Sequence, residues 1–161
     1  MKIIEYDKKY DEQIKDLLIE LQEYLIEIDD WKTQILYEKY REENFNIDMR
    51  KVKEHEGKIY LAVENQEIIG LIMGAVEEKD EIDAITNDCA KTGNILELIV
   101  SQNARGEGIG KILLAQMEEY FKSINCIRIN IEVFGPNQNA HKFYSKNGYI
   151  DRDIIVSKQL K

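Results

Sequence analysis

The stretch Arg105-Gly106-Glu107-Gly108-Ile109-Gly110 constrains this chain more than any other. Glycines at alternate positions permit dihedrals that side chains forbid and let a ligand come close to the main chain. Their flanks set their use. Before the loop, Asn94-Ile95-Leu96-Glu97-Leu98-Ile99-Val100 is short, apolar and β-branched, so it predicts a buried strand. After it, Ile109, Leu113, Met117, Tyr120, Phe121 and Ile124 recur at helical spacing and define one apolar face. A glycine loop between a strand and a helix N-terminus offers unpaired N–H groups at the positive end of the helix dipole, and polyphosphate is its natural guest.

Two nucleotide-binding arrangements fit poorly. No Gly-Lys-Ser or Gly-Lys-Thr succeeds the glycines, which argues against a P-loop. A dinucleotide site needs the loop after the first strand of a βαβ unit and an acid at the end of the next strand. Glu132, in the strand expected over residues 126–134, is a weak match. The segment C-terminal to that strand points elsewhere: Asn137-Gln138-Asn139-Ala140-His141-Lys142-Phe143-Tyr144-Ser145-Lys146-Asn147-Gly148-Tyr149.

Arg-Gly-x-Gly-Ile-Gly with a downstream Asn-x-x-Ala-x-x-Phe-Tyr-x-x-x-Gly-Tyr resembles the GNAT family of N-acetyltransferases, with both motifs in family order and at family spacing. The resemblance is specific over residues 94–149 and topological before them. It implies an α/β fold with a mixed, mostly antiparallel sheet, splayed central parallel strands (the fourth and fifth) and flanking helices. Acetyl-CoA would lie in the splay as co-substrate, with its pyrophosphate on Arg105, Gly106, Glu107, Gly108, Ile109, Gly110 and Lys111. The backbone of Leu98, Ile99 and Val100 would pair with the pantetheine arm as an added strand does, and Asn137 would contact the same arm. Asn137 is equally suited to capping a helix, and both roles are compatible. Two departures stand out: Gln102 replaces a frequent proline, and Glu107 puts a negative charge where a basic residue is common.

Acetyl transfer from a thioester to an amine needs a base, a donor for the carbonyl and an acid for the thiolate. The resemblance places the acid on Tyr144, whose alternative is a packed aromatic; an amide of Leu98, Ile99 or Val100 would donate to the carbonyl. Glu97 is the one charged residue in an apolar strand, where burial would raise its pKa, so it is the proposed base. Its alternative is an ion pair with a lysine at the sheet end. The family resemblance also makes residues 24–40 a wall of the acceptor site, with Glu27, Asp29, Asp30 and Trp31 as substrate-side residues. His141 is given no chemistry.

The 161 residues, 43% of them apolar and only one a proline, suit a single domain over 1–161. The N-terminus lacks a signal-peptide pattern and no apolar run reaches membrane-spanning length, so a cytoplasmic protein without membrane association is expected. Cys89, Cys126, His55 and His141 make a poor zinc set, and no metal is expected. The net charge of −9 is unevenly spread: residues 1–91 carry 13 Lys and Arg against 24 Asp and Glu, and residues 92–161 carry 9 against 7. The glycine-loop half thus suits an anionic co-substrate and the other half a cationic partner. Nucleic acid is disfavoured because no basic stripe with interleaved aromatics exists, and a homodimer is compatible with the sequence.

The expected order is β-α-α-β-β-β-α-β-α-β. Residues 2–6 form a first strand, and Ile14, Leu17, Leu18, Leu21, Tyr24, Leu25 and Ile28 a helical stripe. A more polar helix runs through Ile35, Tyr37, Tyr40 and Phe45. Strands at 58–64 and 68–76 flank a tight turn at Asn65-Gln66-Glu67, with Gly70 and Gly74 hinting at bulges or close approach. The acidic run at 77–88 is a solvated loop, Cys89 a loop thiol, and residues 149–160 a last strand or hairpin. The leading function is an acetyl-CoA-dependent N-acetyltransferase acting on a primary amine of a cationic small molecule or a protein. A non-catalytic CoA-binding or regulatory module is the alternative, while an acidic interaction domain would leave both motifs unexplained.

Overall fold

The computed structural model of the chain describes residues 1–78, 85 and 90–160. Most of the acidic run at 77–88, and Cys89, lie outside the described residues. One sheet holds five strands in the order β1-β2-β3-β4-β5: β1 Lys2–Glu5, β2 Lys58–Glu64, β3 Glu67–Val76, β4 Thr92–Val100 and β5 Arg128–Ile131. Helices α1 (Asp11–Glu27) and α2 (Tyr40–Glu54) precede β2, α3 (Ile109–Ser123) joins β4 to β5, and α4 (Gln138–Lys146) comes after β5. Strands β1 to β4 pair antiparallel, whereas β4 and β5 are parallel. A parallel pair needs a crossover, and α3 supplies it.

Strand alternation builds a core on each face of the sheet. Ile59 and Leu61 of β2 and Leu71 and Met73 of β3 meet Ile14, Leu17 and Leu18 of α1 and Phe45 of α2. Tyr60, Ala62 and Ile72 point the other way, onto Ile109, Leu113, Leu114, Met117 and Phe121 of α3. The hairpin between β2 and β3 turns on Asn65 and Gln66 at φ 50° and 69°, positive at both central residues as a tight hairpin suited to strand twist requires. Ion pairs tie α2 to α1: Arg41 reaches Asp16 at 2.7 Å and Glu12 at 2.9 Å, and Lys15 reaches Glu42 at 2.7 Å.

Helix α3 crosses the sheet where β3 and β4 have no side chains. A Cβ at Gly93 would lie 2.6 Å from two atoms of the Phe121 ring, which is itself fully buried. Gly74 is similarly close, 2.8 Å from the same ring. Gly93→Ala is therefore expected to destabilise the fold by about 1–3 kcal/mol, the usual cost of overpacking, seen as a lower urea midpoint. An unchanged midpoint would mean that Phe121 can move aside.

Three elements differ from the sequence-based expectation. Helix α2 starts at Tyr40, so Ile35 and Tyr37 lie in the loop before it, both exposed. Strand β5 covers four residues instead of nine, because only Thr92 to Ile95 of β4 pair with it before the two strands diverge. Residues 149–160 form no strand; Ile154, Ile155, Val156 and Leu160 are between 75% and 90% exposed. Their β-branched run favours extended backbone, yet a strand exists only where a neighbouring edge receives it. The observed order thus ends with α4, capped by Gly148 at φ 91°.

Candidate active site

The site begins with one extra residue in β4. Met73 faces Glu97 and Gly74 faces Ile95, so Leu96 is a bulge with no partner across the ladder. A bulge breaks the alternation and bends the strand. Ile95 packs toward α3, whereas Leu96 packs against the α1 and α2 side, where Glu97 also lies. The bulge also sits where β5 stops pairing, so residues 96–100 run on with no strand on their β5 side, where the Val100 carbonyl accepts from Arg105 Nε. This opening is the splay between the parallel strands that the family resemblance implies.

Glu97 reaches a cleft of about 230 Å³ bounded by Asn44, Ile47, Asp48 and Lys51 of α2, Asn94 to Leu96 of β4, and Glu132 beyond β5. It sits deep within the protein yet stays partly open through the cleft. Burial, reinforced by the negative charge of Asp48, pushes its carboxyl up to about 8, while nearby Asn44 and Lys51 pull the other way. Among the described residues Asn44 Nδ2 itself makes no hydrogen bond of acceptable geometry. Asp48 is 5% exposed, and burial pushes its carboxyl up to about 6 against the pull of Lys51. Tyr40 stands at the start of the same helix; burial and the charges of Glu97 and Asp48 push its hydroxyl up, which keeps it a donor.

Tyr144, on α4, is 7% exposed with its ring edge-on to Phe143 at 5.2 Å and tilted against Tyr149 at 5.5 Å. Its hydroxyl has no hydrogen-bond partner among the described residues. Burial first, and then the charge of Glu97, holds the phenol well above its ordinary pKa, so it stays protonated. The structure therefore brings Tyr144 and Glu97 within electrostatic reach of each other. Asn137 caps α4, its side chain accepting from Ala140 N at 3.2 Å.

The glycine loop is an open cradle. Gly106 and Gly108 have φ of 87° and 80°, and a Cβ on either would meet nothing within 4 Å. Among the described residues no acceptor takes the N–H groups of Gly106, Glu107, Gly108, Ile109, Gly110 or Lys111. Those donors, at the start of α3, are what a pyrophosphate requires. Glu107 and Lys111 are exposed, so the acid turns to solvent. Arg105 is turned away from the cradle: its Nε donates to Val100 O at 3.0 Å, its guanidinium pairs with Glu20 at 3.3 Å, and it stacks over Tyr24.

The four substrate-side residues expected on the α1–α2 turn do not line the cleft. Asp29 is 3% exposed and organises the loop, accepting from Trp31 N at 3.0 Å, Thr33 N at 2.6 Å, Thr33 Oγ1 at 2.8 Å and Gln34 N at 2.8 Å. Burial opposes its charge, yet these donors hold the carboxyl below its ordinary range. Glu27, Asp30 and Trp31 are exposed. The polar lining comes instead from Asn44, Asp48 and Lys51, spaced along one face of α2, and sequence reasoning missed all three. The available signal was that spacing, set beside the apolar stripe of Phe45, Met49 and Val52.

The site thus comprises a glycine loop with unpaired backbone N–H groups, a strand edge that runs on beyond β5, and a buried carboxyl facing a separate cleft. The sequence profile of the acetyltransferase (GNAT) family matches residues 19–149, and the chain belongs to that family. An uncharacterized N-acetyltransferase of Methanocaldococcus jannaschii, MJ1530, is 33% identical over 97 residues, 60% of this chain and 54% of that protein, so the match spans about half the relative's length. Glucosamine 6-phosphate N-acetyltransferase of Arabidopsis thaliana is 24% identical over 117 residues, 73% of this chain and 76% of the relative. A solved structure of AAC(6′)-Iy with the bisubstrate analog CoA-S-monomethyl-acetylneamine has a TM-score of 0.70 at 13% identity, covering 99% of this chain and 97% of that one. At that identity the likeness shows the fold alone. Among the described residues no helix is long and apolar enough to cross a membrane.

Proposed function

We propose that the protein is an acetyl-CoA-dependent N-acetyltransferase that acetylates a primary amine of a cationic small molecule or a protein by direct attack in a ternary complex. The observation that carries this reading is Glu97, a carboxylate raised to about 8 where the bulge of β4 turns it toward a cleft, with the protonated Tyr144 nearby. Glu97 takes a proton from the acceptor's ammonium. The neutral nitrogen attacks the thioester carbonyl, the C–N bond forms and the C–S bond breaks. Tyr144 gives its proton to the departing sulfur, and the proton shed by the new amide nitrogen restores the phenol. One proton, first held by Glu97, leaves to solvent.

Donor binding falls to the cradle of residues 106–111, with Arg105 bracing the end of β4 behind it, and to the edge of β4 at Leu98, Ile99 and Val100, with Asn137 beside the arm. Lys111, exposed at the first turn of α3, adds charge for the pyrophosphate. The acidic half of the chain favours a cationic acceptor. Mass spectrometry on a panel of diamines, amino sugars, aminoglycosides and lysine peptides with acetyl-CoA identifies the class; no acetylated product from any of them would favour a CoA-binding module.

Glu97→Gln should cost up to roughly 10²-fold in kcat/KM near pH 8, and the deficit should shrink as pH approaches the amine's own pKa, where no base is needed. Wild-type kcat/KM should rise through about pH 8 as the carboxyl ionises, an inflection the variant lacks. A deficit equal at every pH would assign Glu97 to support of the strand.

A further inference from the structure

We propose that Asp48 is a second carboxylate of the acceptor site, a positioning and specificity residue that holds the acceptor nitrogen together with Glu97 and selects primary amines. The inference rests on the acetyltransferase reading and extends it to a residue outside both family motifs. Asp48 lines the same cleft as Glu97, is 5% exposed, and its buried Oδ2 has no hydrogen-bond partner among the described residues. A buried carboxylate oxygen without a donor is costly, and native folds rarely tolerate one that nothing ever satisfies. The ion pairs between α1 and α2 hold the helix that carries it.

The chemistry of attack gives that oxygen a task. A neutral primary amine has two N–H bonds and one lone pair, and the lone pair must face the thioester at the open edge of β4. Both N–H bonds then point back toward α2, where two acceptors are needed to fix the nitrogen. Glu97 supplies one and Asp48 the other. A secondary amine has a single N–H bond after losing its proton and puts a carbon against one of the carboxylates, so the pair discriminates against it.

The charged and titratable groups facing the pair are Tyr40 and Lys51 from α2, Glu132 beyond β5, and Tyr144 from α4. Lys51 offsets part of the negative charge; the two tyrosines remain neutral donors. Burial raises both carboxyls of the pair, Asp48 to about 6 and Glu97 to about 8, so near neutrality they hold about one proton between them. Asp48's charge is one cause of the high value at Glu97, so its removal lets Glu97 ionise at lower pH.

Stability depends on pH through the same burial. A carboxyl whose folded pKa lies above its unfolded value contributes stability at low pH that is lost as pH rises through the folded value. Asp48 is therefore a stability cost above about pH 6, and removing it should stabilise the protein there. A purely structural carboxylate would do the reverse.

The test compares wild type, Asp48→Asn and Asp48→Leu on the fastest primary amine among the diamines, amino sugars, aminoglycosides and lysine peptides, and on its N-methyl derivative. Both variants should raise KM for the primary amine about tenfold or more, as expected from losing a hydrogen bond to a charged group. Preference for the primary over the N-methyl amine should narrow by a similar factor. In Asp48→Asn the rise of kcat/KM should move about one pH unit lower. CoA affinity should be unchanged, and Tm at pH 8 should hold or increase. Lower Tm together with an unmoved pH profile and intact amine preference would overturn the proposal and leave Asp48 a structural residue. Failure of wild type to acetylate any amine would instead overturn the transferase reading, and this inference with it.

Discussion

Gly108→Val is expected to abolish measurable CoA binding while the fold survives. Gly108 sits at φ 80°, a left-handed conformation that a β-branched residue enters only at a cost of about 1–2 kcal/mol. Its Cβ would meet no protein atom within 4 Å, so the added side chain displaces none of the core. It would add bulk and a changed backbone to the loop in which the N–H groups of Gly106 to Lys111 have no acceptor among the described residues. Losing two or three charge-assisted hydrogen bonds at about 1.5–3 kcal/mol each weakens binding by roughly a hundredfold or more. Calorimetry with CoA measures the affinity, and a urea titration measures the small loss of stability. CoA affinity equal to wild type would remove the glycine loop from the donor site.

The glycine loop and the helices beside it were legible in the sequence because they are set by the local backbone. Glycines that permit a left-handed loop, the apolar periodicity of α3 and the Asn137 to Gly148 helix leave local marks that require no knowledge of the fold. The acceptor half left few. Asp48 and Asn44 stand in Tyr40–Glu54, a helix so charged that a buried acid looks the same as a solvated one. The feature that directs Glu97 toward them is the bulge at Leu96, which depends on pairing with β3 and shows no residue signature.

The acidic cluster on the α1–α2 turn shows the opposite hazard. Asp29 has the composition of a substrate-side acid, but its four donors all come from the adjoining loop, residues 31–34. An Asp ahead of a turn commonly folds its own backbone in this way. The apolar run at 149–160 has strand composition without a strand, since intrinsic preference cannot supply the neighbouring edge. Composition shows that a residue is acidic or β-branched; whether its partner lies in its own loop, as for Asp29, or on a distant edge is decided by the fold.

Tyr144→Phe should lower kcat by roughly 10²–10³-fold, within the range of a single general acid, with little change in acetyl-CoA affinity. The substitution keeps the ring that packs on Phe143 and Tyr149 and removes one oxygen that has no hydrogen-bond partner among the described residues. Ground-state binding and stability therefore have little to lose. The hydroxyl matters when the C–S bond breaks and negative charge builds on sulfur, an interaction that exists mainly in the transition state and so appears in kcat. Because burial and the charge of Glu97 keep the phenol protonated, the deficit should be constant across the working pH range, unlike that of Glu97→Gln. Combining the two substitutions would then cost less than the product of their separate effects if both act on one proton circuit. Steady-state kinetics at several pH values, with the acetyl-CoA dissociation constant measured separately, decides the matter. Wild-type kcat in Tyr144→Phe would return the residue to the packing role that its two aromatic neighbours also support.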